Sequence, residues 1–165
     1  MHNFLFLPIT LFASLIFGCA DTTPEDLIAE ARSFASEPSG LTKAASLFGD
    51  FLKNYPDHSL APAVLKEFAA VSQQRGEFLR ALSLYRRLLE QFPESEYCDE
   101  AQFMMAFIYE EYLKDYSKAR EAYGRLVEYY PDSDLAESAR LLLQHVGQNP
   151  EDWVDFQTDK IKLRN

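Results

Sequence analysis

The feature that most constrains this chain is an internal repeat. Segments 44–56, 81–93 and 119–131 each begin with alanine, carry an aromatic residue four positions later, and close with an aromatic residue and proline. Successive segments are 37 and 38 residues apart. Their apolar residues at i, i+4, i+7 and i+8 lie on one face of a helix, and proline cannot continue the helical hydrogen bonds. The repeat therefore predicts three equivalent amphipathic helices, each ended by an aromatic-proline turn.

The stretches that follow each proline also superpose, and they carry an apolar face of their own. Ala61, Cys98 and Ala136 occupy equivalent positions in them, for example. The two periodic stretches together predict an all-α chain in which a helical hairpin is repeated head to tail, as two full hairpins with flanking half-units. The predicted helices cover about 24–36, 41–54, 59–74, 77–92, 96–113, 115–130 and 133–146.

Several residues of these hairpins resemble the signature of the tetratricopeptide repeat family. They are the small residues Ala69 and Ala106 of one helix, and Ala81, Ala119, Tyr85, Tyr123, Pro93 and Pro131 of the other. The resemblance implies a right-handed α-solenoid of antiparallel helix hairpins, with about seven helices over residues 24–147. Solenoids of this kind expose extended concave surfaces that they use for binding.

The turns FPES and YPDS resemble those of repeat proteins in the bacterial envelope. Two groups share this variant: the BamD-type lipoproteins of the outer-membrane β-barrel assembly machine, and the periplasmic repeat proteins associated with Tol–Pal. The resemblance implies a non-enzymatic scaffold or adaptor whose partners are envelope proteins or peptide segments. A role in β-barrel assembly is one alternative, and regulation of cell-wall or Tol–Pal function is another.

The N-terminal segment predicts export from the cytoplasm. Residues 4–18 are almost wholly apolar, but they are shorter than the roughly 20 residues that span a bilayer. Residues 16–19, Ile-Phe-Gly-Cys, resemble the lipobox of bacterial lipoproteins, which implies a signal peptide over 1–18, a diacylglycerol anchor on Cys19 and a short tether over 19–23. Ala20 after the cysteine implies an outer-membrane lipoprotein that faces the periplasm. A plain secretory signal, which would give a soluble periplasmic protein, and an uncleaved anchor are the alternatives.

Composition excludes several other classes. The net charge is −10, from 26 acidic and 16 basic residues. Nucleic-acid binding requires clustered lysine and arginine, so this balance argues against it, and also against a basic face that binds anionic membranes. Once Cys19 is assigned to lipid, Cys98 is a lone thiol, which predicts a small core residue rather than a disulfide.

Patterns typical of catalysis or metal binding are scarce. His58 and His145 lie in different repeats, and neither has a second ligand one helical turn away, so we expect no metal site. The chain has neither a glycine-rich phosphate loop nor a G-x-S-x-G motif, and we expect no cofactor. Glu110 and Glu111 are interpreted as surface charge. The sequence predicts that the protein is not an enzyme, with a cell-wall enzyme as the competing hypothesis.

The family resemblance also implies where a partner would bind, namely on the first helix of each hairpin. The candidate residues are Lys66, Gln73, Gln74, Phe103, Phe107, Glu110, Glu111 and His145. Phe103 and Phe107 are either anchors for a partner segment or ordinary core residues. A set of three tyrosines at 109, 112 and 116 is predicted to fill the hairpin corner, where the extra residue of the 38-residue repeat falls. The C-terminal tail, 148–165, is a cap in which Trp153 and Phe156 cover the last helix, a docking peptide, or an unstructured segment.

Overall fold

A computed structural model describes residues 23–148. The predicted signal, Cys19 and the tail beyond Gln148 lie outside the described residues. Helices and turns make up the described part of the chain, and no strand occurs in it. The seven α-helices are α1 (Pro24–Ala35), α2 (Leu41–Asn54), α3 (Ala61–Gln74), α4 (Phe78–Gln91), α5 (Cys98–Phe107), α6 (Tyr116–Tyr129) and α7 (Asp134–His145). Between residues 23 and 148, no helix is both long and apolar enough to cross a membrane.

The helices pack as three consecutive hairpins and a closing helix. Helix α1 packs on α2, α3 on α4 and α5 on α6, while α7 packs against α6 and α5. The prediction of two full hairpins with flanking half-units is therefore wrong at the N-terminal end, because α1 and α2 already form a complete pair across a short 3-10 turn, Pro38–Gly40. The fold is an all-α solenoid, as predicted. We call α1, α3, α5 and α7 the first-helix row, and α2, α4 and α6 the second-helix row.

The aromatic-proline turns have the same conformation in all three hairpins. Tyr55, Phe92 and Tyr130 have φ between −132° and −128° and ψ between 54° and 58°. Each of their N–H groups donates to the carbonyl four residues earlier, and each of their carbonyls accepts from the N–H three residues later. Proline then ends the helix because it has no N–H to donate. This turn brings every first helix back onto the preceding hairpin.

The core follows the repeat, but it divides into two clusters of unequal size. The aromatic residue near the start of each repeat, Phe48, Tyr85 or Tyr123, is fully buried. The larger cluster extends from α1 to the π turn that follows α5 and contains most of the buried leucine and phenylalanine. The smaller cluster joins α5, α6 and α7, and alanines supply four of its seven buried residues. The C-terminal hairpin therefore has fewer apolar contacts to stabilise it.

The extra residue of the 38-residue repeat lies inside a helix. Val71 and Ile108 are equivalent and 37 residues apart, whereas the corner residues Gly76 and Lys114 are 38 apart. Between these points α5 continues as a π-helical turn, Ile108–Tyr112, in which the Leu113 N–H donates to the Ile108 carbonyl at 3.1 Å. A π turn of this kind inserts one residue into a helix, and such turns are frequent at functional sites.

Each of the other first helices packs one side against the second helix of its own hairpin. The corresponding side of α7 is polar. In α3 this side carries Leu65 and Ala69, both buried against α4. Sequence register places Arg140 and Gln144 at the equivalent positions of α7, and both are exposed. Terminal units of a solenoid need such a polar face because no further repeat covers them. Helix α7 therefore has the polar face of a terminal unit.

Candidate partner-binding surface

Polar contacts join successive helices of the first-helix row. Arg32 of α1 forms two hydrogen bonds with the Glu67 carboxylate of α3, at 2.6 and 2.9 Å. On α3, the Lys66 ammonium is 2.9 Å from a carboxylate oxygen of Glu100 on α5. These partially exposed pairs each contribute at most about 1 kcal/mol to stability. They link α1 to α3 and α3 to α5 across the candidate surface.

The three candidates on α3 differ in accessibility. Lys66 is half-buried, because its ammonium lies 4.6 Å from the centre of the Tyr97 ring as well as beside Glu100. Gln74 is exposed at the end of the helix. Gln73 is half-buried, and its buried Oε1 has no hydrogen-bond partner among the described residues. Of the three, Gln74 is the most accessible to a partner.

Phe103 and Phe107 pack against the protein with only part of each side chain. Both are half-buried on α5. The Phe103 ring meets the Tyr123 ring edge-on at 5.6 Å, which joins it to the smaller core cluster. The Phe107 ring meets Tyr112 at 5.9 Å, and Tyr112 stacks on Phe78 at 4.1 Å. Each phenylalanine therefore has part of its surface in contact with the protein and part available for a ligand.

Glu110 differs from its prediction as an exposed groove carboxylate. Its side chain is only 8% exposed. One of its oxygens accepts a hydrogen bond from the Tyr123 hydroxyl at 3.1 Å, and the other accepts from the Gly147 N–H at 3.3 Å. The π turn places this carboxylate against α6 and the end of α7, so it links three segments and does not face a partner. Its neighbour Glu111 is exposed, 3.4 Å from the Lys114 ammonium.

At the C-terminal end of the row, His145 is half-buried, with Nδ1 3.0 Å from the Gln148 side-chain oxygen. One turn before it, Leu141 is 48% exposed. Repeat register aligns Leu141 with Lys66 and Phe103, so these side chains occupy the same position on three successive first helices. The sequence of α7 taken alone does not single out Leu141. The 38-residue offset alone would have identified it.

Charge is segregated between the two rows. Helix α5 and its π turn carry four acids, Asp99, Glu100, Glu110 and Glu111, and no lysine or arginine. Helix α4 carries three arginines and one acid, and basic residues also outnumber acids on α2 and α6. Basic residues are therefore concentrated on the second-helix row. The first-helix row is acidic and favours a basic or neutral partner.

Groups that could carry chemistry are few in the described part of the chain. No set of three His, Cys, Asp or Glu residues is placed to hold a metal ion within residues 23–148. Cys98 is buried, and its thiol donates to the Phe92 carbonyl at 3.2 Å. Burial raises the pKa of the Cys98 thiol, which keeps it protonated and unreactive. The interpretation of Cys98 as a core residue is confirmed.

Fold and surface together define a class: an all-α repeat protein with an acidic, partly aromatic first-helix row and a second-helix row in which basic residues outnumber acids. Comparison with known families agrees with this class, since residues 69–95 and 100–133 match the tetratricopeptide repeat family. The matched segments run from the middle of α3 to the turn after α4, and from α5 to the turn after α6. Over these two segments the chain is therefore similar to tetratricopeptide repeats. No curated protein matches the chain in a sequence comparison.

Proposed function

We propose that this protein is a lipid-anchored scaffold of the bacterial cell envelope, and that its first-helix row binds a segment of a partner protein. The observation that carries the proposal is the shared register of Lys66, Phe103 and Leu141 on successive first helices, which places one lysine and two partly exposed apolar side chains on a row rich in acids. Aromatic and aliphatic anchors of this kind dominate binding energy at protein interfaces. Tetratricopeptide repeats imply protein partners in general and commonly act without enzymatic activity.

The envelope part of the proposal rests on the N-terminal sequence. Residues 16–19 supply the lipobox-like motif, and Cys19 is the proposed attachment site for diacylglycerol. Several acyl chains on one residue would give stable anchoring, whereas a single chain binds membranes only marginally. Intact mass of protein purified from membranes of its own host tests this point. A chain that begins at Cys19 with added acyl groups, lost in Cys19→Ala, is the expected result, and an unmodified mass would leave a soluble periplasmic protein.

Site-specific photocrosslinking in the native host tests the binding surface. A photoreactive amino acid replaces Leu141 on α7 or, as the matched control, Leu79 on α4, which is 74% exposed in the second-helix row. We expect a discrete crosslinked partner from position 141 and none from position 79. The same partner at both positions, or a partner at position 79 alone, would contradict the proposal.

A second candidate role is assembly of outer-membrane β-barrels, and the aromatic-Pro-x-Ser turns after α4 and α6 are the observation that favours it. Depletion of the protein would then lower the amounts of outer-membrane β-barrel proteins. Normal amounts after depletion would rule out this role and would leave the scaffold proposal standing.

A further inference from the structure

Two cavities lie side by side along the edge of the solenoid that is formed by the aromatic-proline turns. The first, of about 590 Å³, lies between the turn after α2 and the turn after α4, and the second, of about 320 Å³, lies between the turn after α4 and the turn after α6. Residues 95 and 96 line both cavities, so a single turn forms their common wall. We call the two cavities together the turn-edge groove.

The two cavities are related by the repeat. Pro93 and Glu94 line the first, and their equivalents one repeat later, Pro131 and Asp132, line the second. Packed helices are on the order of 10 Å apart. An extended peptide in the polyproline II conformation advances by about 3.1 Å per residue and presents every third side chain on the same face. A peptide that follows this edge would therefore place side chains about three residues apart in the two cavities.

The cavities differ in chemistry. Leu60, Pro62, Phe92 and Tyr97 give the first one a largely apolar lining. The second is lined by three carboxylates, those of Glu96, Asp99 and Asp132, together with tyrosines and serines. One cavity therefore suits a bulky apolar side chain, and the other suits a cation.

Most acids of the groove form no ion pair with the described residues, so their negative charge is available to a ligand. Neither Glu94, Glu96 nor Asp132 takes part in an ion pair within residues 23–148. Two cations approach the edge. Lys66 is paired with Glu100, and the Arg140 guanidinium lies 3.5 Å from the Pro131 carbonyl oxygen, to which it donates. The groove therefore keeps a net negative charge that complements a basic segment.

The walls of the groove are fixed before any ligand binds. The Cys98 thiol holds the Phe92 carbonyl, and the Ser133 hydroxyl donates to Asp99 at 2.6 Å, which ties the turn after α6 to α5. The Tyr97 N–H donates to the Ser95 hydroxyl within the shared turn. Binding to a preformed surface avoids the entropy cost of ordering loops.

We propose that the turn-edge groove binds an extended basic segment of a partner protein. In this segment a bulky apolar side chain fills the first cavity, and a lysine or arginine three positions away meets the carboxylates of the second. The inference goes beyond the proposed function in two respects: it uses a surface distinct from the first-helix row, and it specifies the ligand as a spacing of two residue types.

The test measures binding of the mature chain to an array of twelve-residue Gly/Ser peptides. Each peptide carries one Phe and one Arg, and the separation of the two ranges from one to five positions. We expect a maximum at a separation of three. Asp132→Lys should weaken that binding about fivefold, the factor that corresponds to loss of one partly exposed charge pair. Replacing Arg by Glu in the peptide should restore binding to this variant.

Two further variants separate the groove from general electrostatics. Ser59→Trp adds bulk at the exposed mouth of the first cavity and should abolish the preference for Phe. Glu128→Lys makes the same charge change on the exposed surface of α6, outside the groove, and should leave binding unchanged. Equal losses in Glu128→Lys and Asp132→Lys, or no dependence on separation, would overturn the proposal.

The chain's own tail is a competing occupant because it ends in a basic segment, DKIKLRN. If the peptides bind only after Lys160, Lys162 and Arg164 are replaced by glutamate, the groove is assigned to the tail. That result would overturn the proposal of an external ligand. Failure of the array leaves the crosslink at position 141 unaffected, so the two proposals can fail separately.

Discussion

The hairpins α3–α4 and α5–α6 follow the same plan, yet they turn their corners differently. Helix α3 stays regular and ends at Gln74, and the corner after it falls at Gly76, whose φ of 74° only glycine adopts without cost. After α5, the inserted residue widens the helix into the π turn, and the corner position is taken by Lys114 with φ 52°. The corner itself is therefore kept, and the first helix absorbs the length change. An insertion in a first helix can thus be accommodated in this solenoid while the second helix of the same hairpin still packs on it.

The same two hairpins also treat equivalent polar positions differently. Gln73 of α3 and Glu110 of the π turn are 37 residues apart and equivalent. The buried oxygen of Gln73 has no hydrogen-bond partner among the described residues, whereas both oxygens of Glu110 accept hydrogen bonds. The hairpin with the thinner apolar core thus has a polar link that the other hairpin lacks. The following predictions test whether this link stabilises it.

The largest effect is expected from Glu110→Ala. The change leaves the Tyr123 hydroxyl and the Gly147 N–H without their partner, which should lower the free energy of unfolding by about 2–3 kcal/mol. Gln73→Ala should cost much less, because the oxygen it removes is already without a partner. Urea unfolding of both variants measures the difference, with Glu111→Ala as the exposed control. Similar losses for Glu110→Ala and Gln73→Ala would show that the link contributes nothing specific.

The matched tyrosines give the next largest difference. Tyr123→Phe removes the donor to Glu110 and should cost about 1.5 kcal/mol, since the acceptor is a buried carboxylate. Tyr85→Phe, at the equivalent position of α4, should cost about 0.5 kcal/mol or less, the scale of a change that breaks no partnered polar group. Chemical denaturation midpoints of the two variants decide between them. A larger loss for Tyr85→Phe would reverse the comparison.

The corner residues should respond in opposite directions. Gly76→Ala places a side chain at a positive φ and should cost about 1 kcal/mol; the added Cβ would meet no atom within 4 Å, so the cost is that of the backbone alone. Lys114→Gly relieves the same conformation and should stabilise by up to about 1 kcal/mol. Thermal unfolding of both variants measures the shifts. Destabilisation by Lys114→Gly would mean that the lysine side chain itself supports the corner.

A further effect is expected in alkali, and it should appear in both hairpins. Burial raises the pKa of Tyr85 and of Tyr123, and it raises the pKa of Tyr130 to about 12. A group whose folded pKa lies above its unfolded value of about 10 stabilises the fold at lower pH and loses that contribution as pH rises through the folded pKa. Stability should therefore hold up to about pH 10 and fall from there towards pH 12. Tyrosine absorbance and unfolding midpoints over this range measure the loss, and a decline that begins below pH 9 would assign it to other groups.

Much of the fold follows from the sequence because its signals are local and repeated. Each aromatic-proline pair marks the end of a second helix, and the Thr23-Pro24 pair marks the start of α1, where the Thr23 hydroxyl accepts from the Asp26 N–H. The pairing of α1 with α2 was missed because α1 lacks the sequence match that relates the other hairpins. The π turn was not predicted either. An apolar pattern over a single turn does not distinguish an α-helix, in which each N–H donates to the carbonyl four residues earlier, from a π-helix, in which it donates to the carbonyl five residues earlier.

The candidate site was less predictable than the fold. Glu110 has the composition of surface charge, and its burial depends on an inserted residue and on Gly147, which lies 37 residues further along the chain. The turn-edge groove was not anticipated because its walls come from turns in different repeats, and only their juxtaposition creates the cavities. The segregation of charge could not be predicted from composition, because the net charge is summed over helices that the fold places in different rows.

The polar face of α7 has a consequence for how such a chain can change length over evolutionary time. Arg140 and Gln144 would meet any helix appended after α7 as an unfavourable neighbour, whereas a duplicated hairpin inserted before α7 would find compatible surfaces on both sides. Lengthening by duplication is therefore tolerated in the interior of the gene and resisted at the end of the repeat region. Homologues of different length should accordingly share the sequence of their last helix and differ in the number of copies before it.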